Sequence, residues 1–553
     1  MIRRYNITRR LFPFEREEGR RGKGVKKLFS DCYDLTVYQI YPKSFCDADG
    51  DGVGDISGII SKLDYIKDLG ANAIWLCPVF KSPQCDNGYD VSDYCDIDPT
   101  FGTMADMEAL IAAAHERGIK VIMDFVANHT SSEHEWFRRA RSSRNDPYHD
   151  YYYWAEKPLN DWRSVFGGSA WEYNEPTGEY YLHSFAVGQP DVNWNNPKVR
   201  EEYKAIVDFW VAKGVDGFRC DVLDRISKDF DHNIEANGPH LHEFIREVFG
   251  RENLLGLFTV GEAETTEESI LATCGEDRRE LKSVFQFSHL AVGRKGRYTP
   301  VPHRLDEFKD ILVSWEDFTI KHDLLYVLLT DNHDRPWCNS RVGEDGALRY
   351  ESATTIATTV FLLRGIPFIY QGQEIGCANS HFDDLSAFDD VECLGYYKEM
   401  KGRKDEATLL KEINFGSRDN TRRPFAWDGT PTHGFTTAPA PWLLYATRSD
   451  EINLAADLAS GKSVWRYYRD LLTLRRERAA FRQGTWRQLM PEKKDCFIYL
   501  RELGEERYLV VCNYENAQEI TGLPEGKLLL SNAKRAGGVN GKYAAYESAV
   551  WQL

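Results

Sequence analysis

The 553-residue sequence contains no C-x-x-C pair, no apolar run near the roughly 18 residues of a membrane span, and no G-x-G-x-x-G turn after its first strand-like segment. Each absence removes a class. The twelve cysteines are scattered, and several sit inside apolar runs such as A-I-W-L-C-P-V, the usage of reduced thiols buried as small hydrophobes. A cytoplasmic protein without a membrane partner is therefore expected. Without the glycine fingerprint, an open dinucleotide-binding sheet loses its main support, and no organic cofactor is expected. Positive charge is short as well: the net charge is −17, against any standing attraction to nucleic acid or an anionic membrane. The exception is the first 27 residues, with ten Lys/Arg against three Glu. This head, residues 1–30, lacks the apolar core of a secretory signal and reads as a flexible basic extension.

What is present is a repeated unit. Strand-like runs at 36–42, 71–79 and 119–126 alternate with amphipathic helices at 56–70 and 104–118, which stop at Gly70 and Gly118. After a helix at 199–214 come further strands at 217–222, 254–263, 283–287, 324–334 and 366–374. Strands alternating with helices require a parallel sheet, and eight such units predict a closed (β/α)8 TIM barrel, with an open doubly wound sheet as the alternative. The barrel is expected over 31–126 and 197–481. Residues 127–196, rich in Tyr, Trp, Asn, Asp and Gly, read as a small β-rich domain inserted after strand three. A long insertion, 375–445, follows strand eight, and 482–553 read as a C-terminal all-β sandwich domain.

The carboxyl ends of barrel strands are where such folds carry their chemistry. Strand three ends with Asp124 and His129, strand five with Glu262, and strand seven with His333 and Asp334. Strand four, G-F-R-C-D-V, carries Arg219 and Asp221 two apart, so both point to one face. Carboxylates converging from several strands without a Cys/His metal set point first to glycoside cleavage, in which one attacks the anomeric carbon and another protonates the leaving oxygen. Metal-assisted phosphoryl transfer is the other option, but the sequence has no glycine loop to cradle phosphate. A separate run, D-A-D-G-D-G-V-G-D, offers the carboxylates of Asp47, Asp49, Asp51 and Asp55 and the carbonyl of Val53 as an oxygen cage for Ca²⁺ or Mg²⁺. Its twelfth position is Gly58, so it is not an EF-hand, and an acidic turn without metal is the alternative.

These strand ends resemble the four signature segments of the α-amylase family, glycoside hydrolase family 13, with Q-P-D-V-N-W (189–194) as a further marker. The segments D-N-G-Y-D, F-I-Y-Q-G-Q-E-I-G and S-R-D-N-T-R-R-P resemble its oligo-1,6-glucosidase and α-glucosidase branch. The resemblance implies Asp221 as nucleophile, Glu262 as general acid/base and Asp334 as transition-state stabiliser. It implies that Arg219 keeps Asp221 ionised, that His129 and His333 grip sugar hydroxyls, that Asp86 and Arg418 close the pocket, and that Tyr89 stacks on the glucose. The acidic run resembles the branch's structural calcium loop. Val222 resembles α-1,6-cleaving members, where a branched side chain narrows the space for an α-1,4-linked second glucose. Two stretches depart from the branch, R-R-P-F-A-W-D (422–428) and the Ala-Glu-Thr-Thr after Glu262, and both are expected to flank the leaving group. The expectation is a retaining exo-α-glucosidase on short α-1,6-linked gluco-oligosaccharides, a monomer or small homo-oligomer. An α-1,4-glucosidase, a disaccharide-phosphate hydrolase and a sucrose-isomerase-like transglucosylase share the same trio.

Overall fold

The computed structural model describes residues 32–553 apart from 264–265, 275–279, 303 and 536; the basic head expected at 1–30 lies outside the described residues. All eight expected barrel strands form, at Val37–Ile40, Ala73–Leu76, Lys120–Val126, Gly217–Asp221, Phe258–Gly261, Ser283–Val284, Val327–Leu328 and Ile366–Tyr370. They make one parallel sheet in the order six-five-four-three-two-one-eight-seven. A parallel bridge between Val284 and Tyr326 joins its two ends and closes the barrel.

Several strands are shorter than their apolar runs. The run ending F-I-Y-Q-G-Q-E leaves the sheet at Tyr370, and Gln373–Ile375 is a 3-10 turn. The helical stretch 56–70 is likewise two helices, Ile56–Ser61 and Leu63–Leu69, the second ending on Gly70 at φ 107°. Helix Met104–Glu116 opens with a capping box between Thr103 and Asp106. Helix Pro197–Ala212 is capped by Asn196, with proline at its first position.

Alternation divides each strand between two cores. In strand four, Phe218 and Cys220 face the helix layer, whereas Arg219 and Asp221 face the barrel interior among Trp75, Ile122 and Val260 from neighbouring strands. Gly217 at the start of this strand has no room for a side chain, because a Cβ there would collide with the Phe258 carbonyl.

The inserted domain is a three-stranded antiparallel sheet of Trp154–Ala155, Trp171–Asn174 and Glu179–Leu182. It is tied to the barrel rim by a buried ion pair, Lys228 to Asp191 at 3.0 Å. The insertion after strand eight holds three helices, Val391–Met400, Glu406–Gly416 and Asp419–Arg422. The C-terminal unit is a five-stranded antiparallel sheet whose second layer is only a two-stranded ribbon, Gln518–Ile520 with Gly541–Tyr543. The other face of the large sheet packs on the barrel through Tyr499, Val510 and Val550.

Glu374, just past strand eight, is fully buried and accepts hydrogen bonds from Tyr38 at 2.6 Å and Tyr65 at 2.5 Å. Burial pushes its carboxyl up from 4.5 to about 7. Stabilisation by a group with a raised folded value is complete below the unfolded value and is lost as pH rises through the folded one. The Tm advantage of the parent over Glu374→Gln is therefore expected to be largest near about pH 5 and to shrink by about pH 8. An equal advantage at both pH values would show that Glu374 does not titrate in this range.

Candidate active site

Strand register brings the first charges together. Asp124 and Arg219 are paired neighbours on strands three and four, and Arg219 Nη1 donates to Asp124 at 2.7 Å. The same nitrogen donates to Asp221 at 2.6 Å, and Nη2 donates to Glu262. Glu262 follows the last residue of strand five; its N–H reaches the Cys220 carbonyl at 2.8 Å, and its own carbonyl accepts from Leu223 at 2.8 Å. One guanidinium thus holds three carboxylates.

Arg219 favours the ionised form of Asp221, as expected, but other groups act against it. Burial, together with the Glu262 and Asp124 carboxylates, pushes the Asp221 carboxyl well up despite the pull of Arg219. Asp124, buried and also held by Arg219 and Trp75, is pushed up to about 6. Asp221 and Glu262 thus grip the two terminal nitrogens of one cation.

Asp334 has the opposite environment. Burial opposes its ionisation, but His333, Arg422, Arg418 and Arg297 hold its carboxyl well below the usual range. Its ion pairs are with Arg422 at 2.9 Å and Arg418 at 3.4 Å, and His333 Nε2 lies 3.2 Å away. His333 is pushed down to about 3 by burial, so near neutral pH it carries no charge and the guanidiniums do the work. Gln39 donates to Nδ1 of His333 at 2.7 Å, which leaves the proton on Nε2, beside the Tyr89 hydroxyl at 2.7 Å. Tyr89 in turn donates to Asp124 at 3.2 Å.

Asp221, Glu262, Asp334, His333 and Tyr89 line one cavity of ≈ 240 Å³, below the roughly 300–1,000 Å³ of pockets for drug-sized ligands, a size for one sugar ring. Asp86 and Arg418 meet in it as a buried ion pair at 3.1 Å. His129 also lines it, pushed down to about 4 by burial and hydrogen-bonded to Gln189. Tyr89 lies parallel to the His333 ring, centroids 5.3 Å apart. Of the catalytic and substrate residues singled out in the sequence, only Arg219 stands behind the wall instead of in it.

Val222 differs from expectation. It is not the last residue of strand four but the first residue beyond it, in the left-handed region at φ 36°, and it lines the cavity. A β-branched residue there is a steric outlier, and such conformations cluster at functional sites. The departing stretch 422–428 also falls elsewhere. Arg422 serves Asp334, but Arg423 donates to the Ala387 and Leu444 carbonyls, and Phe425 and Trp427 pack on Phe45. Of the residues after Glu262, Ala263 lines the cavity, and Glu264 and Thr265 lie outside the described residues.

Sequence reasoning missed other parts. Arg418 is clamped by Asp390 at 2.7 Å, with Glu392 at 3.7 Å, from an insertion helix that carries no motif. Phe166 and Phe185 from the inserted domain form an aromatic wall, their centroids 5.7 Å apart. The aromatic richness of 127–196 was the available signal.

In the acidic loop, the carboxylate oxygens of Asp47, Asp49 and Asp55 lie within 4.8 Å of one another. Asp51 and Val53 are not in this group; Asp51 instead accepts the Val53 N–H at 2.7 Å. Backbone N–H donors hold the cluster in shape, with Gly50 and Gly52 on Asp47 and Ala48 and Gly58 on Asp55.

Convergent carboxylates at the strand ends of a closed barrel, around a pocket one sugar wide, define a glycoside hydrolase site. The chain belongs to the α-amylase family, whose catalytic domain matches residues 39–484. It is similar to the oligo-1,6-glucosidase of Parageobacillus thermoglucosidasius, 43% identical over 532 residues and covering 90% of this chain and 94% of that one. The crystal structure of Bacillus licheniformis trehalose-6-phosphate hydrolase superposes with a TM-score of 0.88 at 40% identity, over 94% of this chain and 99% of that one. A mutant isomaltulose synthase of Erwinia rhapontici NX5, solved with its natural substrate sucrose, gives a TM-score of 0.90 at 35% identity with the same coverage.

Proposed function

We propose that this protein is a retaining exo-α-glucosidase that removes glucose from the non-reducing end of short α-1,6-linked gluco-oligosaccharides. The observation that carries this reading is the trio Asp221, Glu262 and Asp334 around a one-sugar pocket that holds the Asp86–Arg418 pair. In the reaction, Asp221 attacks the anomeric carbon while Glu262 gives its proton to the leaving oxygen. Water, deprotonated by Glu262, then releases glucose from the covalent intermediate. Arg219 donates to both acids and so holds Asp221 and Glu262 side by side for the two steps. Asp334, kept ionised, faces the positive charge that develops on the sugar ring. Two acids on adjacent nitrogens of one guanidinium suit the short separation of about 5–5.5 Å used for retention, as opposed to about 6.5–9.5 Å for inversion. Closure by Asp86 and Arg418 suits removal of one sugar at a time, with Tyr89, His129 and His333 as its polar and aromatic contacts.

Val222 sets the linkage preference on this reading, its branched side chain held at the cavity wall by the strained backbone. A methyl-sized clash is worth about 1–3 kcal/mol, so the isomaltose-over-maltose ratio of kcat/KM should be about 10- to 200-fold and should fall in Val222→Ala. A parent that prefers maltose, or an unchanged ratio in the variant, sinks the assignment. The same trio would serve transglucosylation, and incubation with sucrose separates the two: an isomerised disaccharide would place the enzyme with the synthases.

We further propose that Asp47, Asp49 and Asp55 hold one structural Ca²⁺, or Mg²⁺, supported by the convergence of hard oxygen donors. Bound only by the folded chain, the ion would raise stability by mass action. A chelator is expected to lower the Tm while initial rates at room temperature stay nearly constant. Immediate proportional loss of activity with no change in Tm would overturn this role. A cytoplasmic location belongs to the same reading, supported by twelve free cysteines, Cys85 and Cys95 among them exposed. Among the described residues, no helix is long and apolar enough to cross a membrane.

A further inference from the structure

The arginines around the cavity are unequally partnered. Arg219, Arg418 and Arg422 are each held by carboxylates. Arg297 pairs with Glu392 and donates to the Asp334 carbonyl at 2.6 Å, and Arg341 is spent on the Pro336 and Leu290 carbonyls. Arg335 and Arg294 differ. Arg335 follows Asp334 and lines the cavity, yet its half-buried guanidinium has no ion pair or hydrogen bond among the described residues. Arg294 starts the small hairpin after strand six, where Arg294–Lys295 pairs with Thr299–Pro300. It too is half-buried and unpaired among the described residues, and its Nε is buried with no partner.

Buried guanidinium groups are normally paired, because losing water without gaining an acceptor is costly. Here the mismatch is collective. Burial and then the cations Arg335, Arg297 and Arg341 push Arg294 down to about 8. Burial and the neighbouring Arg297 push Arg335 down to about 10. Asp334 and Glu392 are the carboxylates that act most strongly on Arg335, and both are already claimed, by Arg418 and Arg422 in one case and by Arg297 in the other. Arg335 lines the cavity together with Asp334, Arg297 and Glu392, and among the described residues neither its guanidinium nor that of Arg294 has an anion of its own.

We propose that Arg335 and Arg294, with Arg297 beside them, form an anion subsite that receives a phosphate or carboxylate carried by the leaving sugar. The inference rests on the glucosidase reading for which side the leaving group occupies. Planar guanidinium forks match the oxygens of either anion bidentately, and an arriving anion relieves the repulsion among the arginines at the same time.

Calorimetric titration of the parent with glucose, glucose 6-phosphate and gluconate at constant ionic strength tests it. At least one anion is expected to bind about tenfold or more tightly than glucose, the scale of hydrogen bonds to charged groups. That preference should disappear in Arg335→Ala and weaken in Arg294→Gln, read as a ratio within each folded variant. A response to glucose 6-phosphate alone assigns a phosphate site, a response to gluconate alone a carboxylate site, and a response to both a general anion site. Equal binding of all three ligands, or a preference that survives both substitutions, overturns the proposal. Isomaltose turnover by the parent is measured separately. If turnover is absent while the anion preference holds, the glucosidase reading fails and the anion site stands.

Discussion

Asp221→Asn is expected to lose about 10⁴- to 10⁶-fold in kcat on isomaltose, the scale seen when the central group of a catalytic unit is removed. The fold should not suffer. The Asp221 carboxyl is pushed up by burial and by two neighbouring acids, so its ionised form is held at a cost near neutral pH. A neutral amide in its place still accepts from Arg219 and no longer repels Glu262 or Asp124. The variant should therefore melt at or above the parent's Tm while being inactive, a separation that general misfolding cannot produce. NMR of the first sugar released by the parent completes the test: α-glucose is expected, and β-glucose would rule out the double displacement. An Asn variant with near-normal turnover would remove Asp221 from the nucleophile role.

Arg219→Met should have the largest effect on stability. Arg219 is buried and contacts Asp124, Asp221 and Glu262, so its removal leaves acids facing one another inside the barrel. Breaking a buried ion pair from one side costs about 3–5 kcal/mol. The loss should depend on pH in a definite direction. Asp124, already at about 6, and Asp221 would rise further without the cation. Raised carboxyls contribute stability at low pH and lose it as pH climbs through their folded values. The deficit of Arg219→Met relative to the parent should be smaller near about pH 5 than near about pH 8 in denaturant titrations. A deficit that is equal at both would mean that Asp124 and Asp221 are not raised further by loss of the cation.

The barrel was legible because its signal is local and repeated. Apolar runs of strand length, glycines after the helices and the two-residue spacing of Arg219 and Asp221 all report on neighbours along the chain. The polar strand ends were legible for the same reason. A carboxylate interrupting a buried run stands out against Val and Ile, and alternation alone puts Arg219 and Asp221 on one face.

The rest depended on contacts between distant segments. No spacing rule links Arg418 to Asp390 and Asp86, which meet it from an insertion helix and from the loop after strand two. The sharing of Arg219 by three strands appears only when the register sets strand four between strands three and five. That sharing sets the Glu262 and Asp124 carboxylates against the pull of Arg219 on Asp221, because electrostatic free energy depends on every charge within reach and not only on the sequence neighbour. Val222 looked like one more strand residue; that its backbone turns left-handed at the rim is set by the hydrogen bonds locking Leu223 to Glu262 and Arg225 to Val222. The sequence by itself determined the repeat, the strand ends and the kinds of side chain placed there. Tertiary structure decided which carboxylates share one guanidinium, which arginines lack a partner among the described residues and which side chains wall the pocket, since these follow from distances that only closure of the barrel creates.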